Sequence, residues 1–392
     1  MKIGILTLHR PCNFGANLQA YSSYRYFTSL GYDVKVIDYV RVTDANYKCK
    51  VSIEQYKAHQ YFIENNLPLT AQCTSAESLA NVVEQEHFDM IFIGADAIWR
   101  KPNDNYIYFA KWLFETPSIS ETRVCSLSAA HMGLGFQDLD AEGKNEIRRC
   151  LEKFHYITVR DTWTQYVINR DIFAGEAFVK NVNPDPVFNL SNLLPSIEWL
   201  SQGINPKEYI LMSLSNNWGV GKSGILRKIW FNHFKRMVNR RGYKLIELPI
   251  PEGKSGMPFD YCVDYPIDPL QWFLWIKNAR GFCGLRFHAI VSSISNGTPF
   301  FSIDSYCPNS KKRYLLDLIG LHSKANSNDQ RSKIRNLLEG SPFEANRCGG
   351  SVEFVSPRYV LNRILGCKES EIIQLRDRNL SVFRTNIENA LR

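Results

Sequence analysis

The order of short apolar strands and helices constrains the fold of this chain more than any other feature. The chain opens with a predicted strand over 1–8, a helix over 16–30 that Gly31 ends, and a second strand over 33–38. Strand, helix and strand in this order form a βαβ unit, which is typical of a parallel sheet covered by helices. A buried strand over 88–93 continues the alternation. The first half of the chain is therefore predicted to be one α/β domain.

The same alternation begins again after a region that is rich in turn-forming residues. Residues 189–207 are predicted to be a linker because Pro and polar turn formers cluster there. Beyond them, strands over 209–214 and 244–249 flank a helix over 223–240. The second half is therefore predicted to be another α/β domain.

The two alternations predict two Rossmann-like domains. The expected bounds are 1–195 for the N-terminal domain, 205–365 for the C-terminal domain and 366–392 for a terminal helix. The chain has 392 residues, which is long enough for two domains with separate cores. Loops at the carboxyl ends of parallel strands carry ligand contacts, so the two domains are expected to face a cleft that these loops line.

The net charge of +8 leaves several classes of partner open. A mild basic excess fits nucleic acid, a phosphorylated small substrate, an acidic membrane surface, or a solvated surface with no binding role. The basic residues are dispersed and form no nucleic-acid-binding motif, so no nucleic acid partner is expected. The basic stretch 311–313 is predicted to be a solvated helix start, with contact to anionic lipid or to an acceptor diphosphate as the alternative.

A cytoplasmic location is expected from three features. The first residues enter a strand with no signal peptide, and no apolar run approaches the ~20 residues that a membrane span needs. The ten cysteines form no CxxC pair and no zinc-ligand spacing, so they are interpreted as reduced thiols. Peripheral contact with the inner face of the membrane is kept as an extension of this prediction.

The segment 281–306 carries the strongest chemical signal. It reads as a strand, a turn with Arg286 and His288, a helix that Asn296 and Gly297 end, and another strand. A helix N-terminus attracts anions, a guanidinium matches carboxylate or phosphate, and a histidine moves protons near neutral pH. The segment therefore predicts an anion site with a proton donor, although capping or ion pairing would explain the same residues.

Polar residues in loops after predicted strands of the first half are further candidates. Asn13, Gly15 and Gln19 follow the first strand, Asp96 follows the strand 88–93, and His131 follows a strand that ends at Ala129. The first three residues do not form a GxGxxG fingerprint, so a dinucleotide site has little support. His131 is open to two interpretations, a proton-transfer group or a structural histidine.

Two more candidates lie at strand ends, one in each half. Arg160 closes a short strand and faces a helix start, where it either contacts an anion or forms an ion pair with Asp161 or a cap. Asn216 lies in the polar loop after the strand 209–214. Both are predicted to contact substrate.

With these residues laid out, the chain resembles the polysaccharide pyruvyl transferase family. The resemblance rests on several spaced motifs in the family's order, over most of residues 1–320. They are the opening MKIGILTLHRPCNFGANLQAYSSYRYF, Phe92–Trp99 (FIGADAIW), Cys125–Gly133 (CSLSAAHMG), Val159-Arg-Asp161, Asn183-Pro-Asp-Pro186, Arg286-Phe-His288, Pro299-Phe300 and Ser305-Tyr306.

The resemblance implies a fold similar to the GT-B glycosyltransferases and an enzyme that uses phosphoenolpyruvate. Its enolpyruvyl group would pass to two hydroxyls of a sugar, which gives a pyruvate ketal and phosphate. In the family the Arg and His of the R-x-H motif, here Arg286 and His288, belong to the phosphoenolpyruvate site. The implied partners are phosphoenolpyruvate and a sugar or lipid-linked oligosaccharide acceptor in exopolysaccharide, capsule or cell-wall biosynthesis.

The chain departs from the family pattern at two places. The family's Gly-Ser-Asp-Gln is Gly94-Ala-Asp-Ala97 here, which removes two polar side chains, and the Ser of A-A-S-F-G is His131. Acceptor contacts are therefore expected to differ from the family's.

The mechanistic prediction assigns a role to each candidate. Arg286 and Arg160 would hold the donor's anionic groups, and His288 would act as general acid or stabilise the leaving phosphate. Asp96 or His131 would be the base on the acceptor hydroxyl, and Ser305 and Tyr306 would contact substrate. No cofactor or metal is expected. The alternatives are a glycosyltransferase that uses a nucleotide sugar, and a non-catalytic member of a polysaccharide assembly complex.

Overall fold

The computed structural model describes residues 1–41, 51–100, 106–131, 135–216, 218, 224–284, 286–302 and 356–392, and the backbone of 341–342 and 354–355. Within these ranges the chain divides into two compact units. The first contains residues from 1–48, 59–193 and 378–392, and the second contains residues from 49–58 and 194–377.

The first unit is built on a parallel sheet of four strands. In chain order they are β1 (Lys2–Leu6), β2 (Asp33–Val36), β3 (Met90–Gly94) and β4 (Arg123–Leu127). Their order in the sheet is β2-β1-β3-β4, and every neighbouring pair is parallel. Two short parallel strands, β5 (Thr158–Val159) and β6 (Asn181–Val182), continue beyond β4 through isolated bridges such as Ala129 with Val159.

Helices of the first unit start and end at residues that suit helix termini. The unit contains α1 (Phe14–Ser29), most of α2 (Ile53–Asn66), α3 (Ala76–Glu86), α4 (Lys111–Phe114), α5 (Ala141–Glu152), α6 (Thr162–Asp171) and α7 (Leu190–Leu193). Asn13, Ser75, Asp140 and Asp161 each cap a helix with a side-chain oxygen. The core between helices and sheet is rich in aromatic side chains, among them Trp99, Phe109 and Phe154.

The second unit is built on a parallel sheet of five strands. They are β7 (Tyr209–Ser213), β8 (Lys244–Glu247), β9 (Tyr261–Cys262), β10 (Gly281–Gly284) and β11 (Phe300–Ser302), in the order β11-β10-β7-β8-β9. Among the described residues of this unit, the helices are α8 (Gly224–Arg240), α9 (Pro269–Asn278), α10 (Phe287–Ser295) and α11 (Pro357–Gly366). A short antiparallel pair joins β12 (Ser341–Pro342) to β13 (Phe354–Val355).

The last helix, α12 (Glu369–Leu391), is shared by the two units. Its first residues belong to the second unit, where Arg376 Nη1 donates to the Ser295 carbonyl at 3.3 Å. Residues 378–392 belong to the first unit, where Phe383 packs edge-on against Tyr26 at 5.0 Å between ring centroids. The chain end is therefore part of the first unit's core.

The α/β class with two Rossmann-like units, as predicted, is confirmed by these parallel sheets and their covering helices. The predicted terminal helix over 366–392 is found at Glu369–Leu391. Within the stretch predicted to be a linker, residues Leu190–Leu193 form the short helix α7. The basic stretch 311–313 lies outside the described residues. No helix in the described ranges is long and apolar enough to cross a membrane.

Candidate functional site

The first unit has its topological switch point between β1 and β3. The chain runs from β1 to β2 on one side, and from β3 to β4 on the other, so the loops after β1 and β3 diverge at the carboxyl edge. In open α/β sheets, ligands bind in the crevice at such a point. The predicted candidates Asn13, Gln19 and Asp96 lie on these two loops or just beyond them.

Asn13 and Gln19 hold the loops of the switch point in place. The Oδ1 atom of Asn13 accepts from the backbone N–H groups of Gly15 and Ala16 at 2.9 and 3.3 Å, which caps α1. Buried Gln19 donates from Nε2 to Thr7 Oγ1 at 2.7 Å and accepts the N–H of Ala95 on Oε1 at 3.1 Å. Gln19 therefore links the two loops, and the predicted substrate contacts of Asn13, Gly15 and Gln19 stay predictions.

The loop after β3 has a backbone that demands glycine at its start. Gly94 has φ +141°, and a Cβ there would lie 2.0 Å from the carbonyl oxygen of Leu127. Asp96 follows with φ +68°, and its own carbonyl accepts the N–H of Ala130 at 2.8 Å. The close approach of the loop after β3 to the end of β4 thus fixes the position of the Asp96 backbone.

Asp96 is part of a buried charge cluster with Arg160 and Asp185. Arg160 Nη2 lies 3.6 Å from Asp96 Oδ1, and Nη1 donates to Asp185 Oδ2 at 3.1 Å. The Arg160 and Asp185 side chains are 2% and 0% exposed, whereas that of Asp96 is 12% exposed. Burial disfavours the charged guanidinium, but the attraction of Asp96 and Asp185 outweighs it, so the pKa of Arg160 is raised.

This cluster changes the interpretation of Arg160. Asp161 Oδ1 caps α6 and accepts the N–H of Thr164 at 2.7 Å, and the charge of Asp161 also contributes to the raised pKa of Arg160. The suggested ion pair of Arg160 with Asp161 stays a prediction. The described contacts place the Arg160 guanidinium against the carboxylates of Asp96 and Asp185. The predicted contact of Arg160 with an anionic substrate stays a prediction, and Asp185 was missed although it stands in the Asn183-Pro-Asp-Pro186 segment.

His131 ties the end of β4 to the loop after β3. Its Nδ1 donates to the Trp99 carbonyl at 2.5 Å, and its backbone N–H donates to Thr164 Oγ1 at 2.9 Å. Burial lowers the pKa of His131, so the ring is neutral at neutral pH. Nε2 has no hydrogen-bond partner in the described part of the chain. These contacts favour the structural interpretation over the proton-transfer role.

A second charged cluster at the same edge was not predicted. His9 Nε2 and Arg10 Nε both approach Asp38 Oδ1, at 2.9 and 2.8 Å, and Arg10 Nη2 lies 2.6 Å from Asp38 Oδ2. Arg10 and His9 together hold the pKa of the Asp38 carboxyl well below its usual range, against the effect of burial. The signal was available, since His9 and Arg10 follow β1 and Asp38 follows β2.

The second unit has its switch point between β7 and β10. From β7 the chain crosses by α8 to β8, towards one edge of the sheet. From β10 it crosses by α10 to β11, towards the opposite edge. Ser213 and Gly284 are paired in register where these two strands end. A Cβ on Gly284 would lie 2.8 Å from the Ser213 carbonyl oxygen, so this edge requires glycine.

Arg286 and His288 lie at the start of α10, next to this switch point. Arg286 is the N-cap residue, with extended backbone and no side-chain cap bond. Its guanidinium is 44% exposed and lies 3.1 Å from Glu252 Oε2. His288 is 8% exposed and lies in the first turn, with its ring perpendicular to Phe287 at 5.1 Å. The structure thus brings the two residues together at the N-terminus of a nine-residue helix.

This arrangement can bind an anion. The first turn of α10 presents backbone N–H groups that lack intrahelical acceptors, and Arg286 adds a permanent positive charge. Arg286 Nη2 also donates to Glu252 Oε2 at 3.1 Å. Asn216 lies in an exposed turn after β7, on the other loop of the same switch point. Ser305 and Tyr306 lie outside the described residues, so their predicted contacts stay predictions.

Comparison with protein families identifies a family to which the chain is similar. The model of the polysaccharide pyruvyl transferase family matches residues 13–306, which is most of the chain and includes Asp96, Arg160, Arg286 and His288. No curated protein sequence matches the chain.

Comparison with solved structures gives distant matches. UDP-GlcNAc 2-epimerase from Methanocaldococcus jannaschii is 12% identical with a TM-score of 0.49, over 96% of this chain and 100% of that one. The Neisseria meningitidis UDP-GlcNAc 2-epimerase is 9% identical with a TM-score of 0.48, over 96% and 100%. A glycosyltransferase from Streptomyces nogalater is 12% identical with a TM-score of 0.41, over 100% and 96%. At these TM-scores the similarities carry no argument about ligand or reaction.

Proposed function

The chain belongs to the polysaccharide pyruvyl transferase family, and we propose that it transfers the enolpyruvyl group of phosphoenolpyruvate to two hydroxyls of a sugar. The products would be a cyclic pyruvate ketal and phosphate. The observation that carries the proposal is the family match over 13–306, which includes an Arg286–His288 pair at the start of α10. We place the reaction in the biosynthesis of an exopolysaccharide, capsule or cell-wall polysaccharide.

The donor would bind at the start of α10. Phosphoenolpyruvate carries a carboxylate and a phosphate, and the Arg286 fork together with the first-turn N–H groups is suited to such groups. Glu252 forms an ion pair with Arg286 at 3.1 Å, with both side chains partly exposed. A donor anion would displace this carboxylate, because exposed ion pairs are worth only about 0–1 kcal/mol.

His288 would supply or stabilise charge during the reaction. Ketal formation requires a proton on the enol CH₂, which becomes the methyl group, and attack of a first sugar hydroxyl on C2 with loss of its proton. Departure of phosphate and attack of the second hydroxyl, which also loses its proton, complete the ketal. His288 lies two residues from Arg286 and is our choice for the acid, or for the group that stabilises the leaving phosphate.

The acceptor would bind in the first unit, by our assignment. Asp96 has the most exposed side chain of the Asp96–Arg160–Asp185 cluster, and a carboxylate is a good acceptor for sugar hydroxyls. We assign Asp96 as the base on a hydroxyl and Arg160 as a positioning residue that acts through it. His131 is a weaker choice because its Nδ1 is bound to the Trp99 carbonyl. The acceptor would be a sugar or a lipid-linked oligosaccharide.

Calorimetric titration with phosphoenolpyruvate tests the donor site. We expect micromolar to low-millimolar binding by the unmodified chain and its loss in Arg286→Ala. The matched control is Arg148→Ala, because Arg148 is similarly exposed and pairs with the Glu152 carboxylate at 2.9 Å in the first unit. Equal binding by both variants would contradict the assignment of Arg286.

Release of phosphate separates the proposal from its alternatives. A glycosyltransferase that uses a nucleotide sugar would release nucleoside diphosphate, and a non-catalytic member of an assembly complex would release neither. The assay supplies phosphoenolpyruvate and candidate acceptors, and measures phosphate with and without His288→Ala. Turnover in that variant close to the unmodified rate would remove His288 from the mechanism.

A further inference from the structure

The helices α8 and α11 of the second unit cover the same face of its sheet. Trp230 and Phe234 of α8 share a core with Val360 and Ile364 of α11 and with Met212 of β7. Because the inner sides of both helices are used by this core, their outer sides point away from the sheet on the same side of the unit. Those outer sides form one surface.

The outer side of α8 combines exposed apolar and basic side chains. Ile225 is 71% exposed and Ile229 is 43% exposed, one helical turn apart. Lys228, Arg236 and Arg240 are also exposed, and at 3.6 residues per turn the five side chains lie within about 120° of the helix circumference. We name Ile225, Lys228, Ile229, Arg236 and Arg240 the α8 stripe.

The sequence segments that form α8 and α11 contain positively charged side chains and no negatively charged ones. Residues 224–243 contain six basic residues and no Asp or Glu: Arg227, Lys228, Lys235, Arg236, Arg240 and Arg241. On α11, Arg358 and Arg363 are exposed, and 354–368 likewise contain no acidic residue.

The charges of the stripe are available for a partner. Lys235, beside the stripe, is neutralised by Asp260 at 2.9 Å. By contrast, Lys228, Arg236 and Arg240 form no ion pair with any residue that the structure describes. Arg236 only donates from Nε to the Asn232 carbonyl at 3.2 Å, one turn back along the same helix.

We propose that the α8 stripe binds the surface of an anionic lipid bilayer. Basic side chains on a helix gain energy near acidic headgroups, and apolar side chains on the same face enter the boundary between headgroups and acyl chains. The stripe spans 225–240, about 23 Å along the helix axis at 1.5 Å per residue, so it can lie flat on a membrane. The two isoleucines favour a bilayer over a nucleic acid, which offers them no apolar phase.

Co-sedimentation of the full chain with vesicles tests the proposal. The chain should bind vesicles of equal parts phosphatidylcholine and phosphatidylglycerol, and not vesicles of phosphatidylcholine alone. Each basic residue near an acidic surface contributes about fivefold to partitioning, so Lys228→Gln/Arg236→Gln/Arg240→Gln should bind about 100-fold more weakly. Ile225→Ser/Ile229→Ser should bind at least about tenfold more weakly.

A matched control separates the stripe from overall charge. Lys57→Gln/Lys153→Gln/Lys180→Gln removes the same charge from three other exposed positions and should bind within about twofold of the unmodified chain. Unchanged melting temperatures exclude misfolding, since every substituted side chain is exposed. The test is independent of the proposed enzymatic function.

Three results would overturn the proposal. The first is no binding of the unmodified chain to the anionic vesicles. The second is equal loss in the stripe and control triple variants, which would assign binding to net charge. The third is full vesicle binding by the isoleucine variant together with complete competition by heparin, which would assign the stripe to a soluble polyanion.

Discussion

Replacing Asp185 with Asn tests how much the buried charge cluster stabilises the first unit. Asp185 Oδ2 accepts from Arg160 Nη1 at 3.1 Å, and Oδ1 accepts the N–H of Val187 at 3.0 Å. The amide of the Asp185→Asn variant still offers an oxygen to the Val187 N–H. Its NH₂ group, a neutral donor, replaces the charged oxygen that accepts from the Arg160 guanidinium. Arg160 then keeps the Asp96 carboxylate, whose Oδ1 lies 3.6 Å from Nη2.

The expected loss follows from the burial of the pair. The Asp185 and Arg160 side chains are 0% and 2% exposed, so water cannot replace the lost carboxylate. Removal of one partner from a buried ion pair costs about 3–5 kcal/mol, and we expect about 3 kcal/mol because Asp96 remains near the guanidinium. For a unit of this size, that loss lowers the melting temperature by about 6–12 °C.

Thermal unfolding followed by circular dichroism measures the effect. The control is Asp260→Asn, because Asp260 pairs with Lys235 Nζ at 2.9 Å and accepts the N–H of Leu245 at 2.8 Å, but is 21% exposed. The control should lose at most about 1 kcal/mol. A fall of less than about 2 °C for Asp185→Asn, or equal shifts for both variants, would refute the reasoning.

Three further predictions concern a glycine, a competing carboxylate and a buried histidine. Gly94→Ala should cost more than about 3 kcal/mol in urea unfolding, because its Cβ would lie 2.0 Å from a carbonyl oxygen at a φ of +141°; Gly175→Ala, with open space around it, is the control. Glu252→Gln should tighten phosphoenolpyruvate binding about two- to fivefold in calorimetry, since Arg286 loses its competing partner. Burial lowers the pKa of His59 from 6.5 to about 3, so the unfolded chain binds more protons than the folded chain between these values. From about pH 7 to pH 5 the unmodified chain should therefore lose about 2 kcal/mol more stability than His59→Gln in urea titrations.

Local sequence patterns predicted the regular elements well. The helix predicted over 223–240 is Gly224–Arg240, and the helix predicted over 16–30 is Phe14–Ser29. Apolar periodicity and capping residues are properties of neighbours along the chain, so they are readable from the sequence alone. Strands were predicted too long, as with 1–8, of which only Lys2–Leu6 is paired, because a strand's length depends on a partner elsewhere in the chain.

The sequence predicted residues that lie in the candidate site, but not which charged residues pair with one another. Arg286, His288 and Asp96 were chosen because they follow predicted strands, and all three lie at or near a switch point. The partners of charged groups depend on strand order, which local patterns do not encode. Arg160, for example, pairs with Asp185, 25 residues away, a partner that the local pattern did not indicate. The φ of Asp96, +68°, likewise depends on its contact with the end of β4.

The sharing of α12 between the units has a consequence for biosynthesis. Beyond the ring contact of Phe383 with Tyr26, Asn386 Nδ2 donates to Asn183 Oδ1 at 3.2 Å, and Cys125 Sγ lies 3.8 Å from the Ala390 carbonyl. These residues of α12 are synthesised after all residues of the second unit, which come from 49–58 and 194–377. During synthesis, part of the first unit's core therefore stays exposed to solvent. It is covered only after residues 378–392 of α12 have been synthesised and have packed against it.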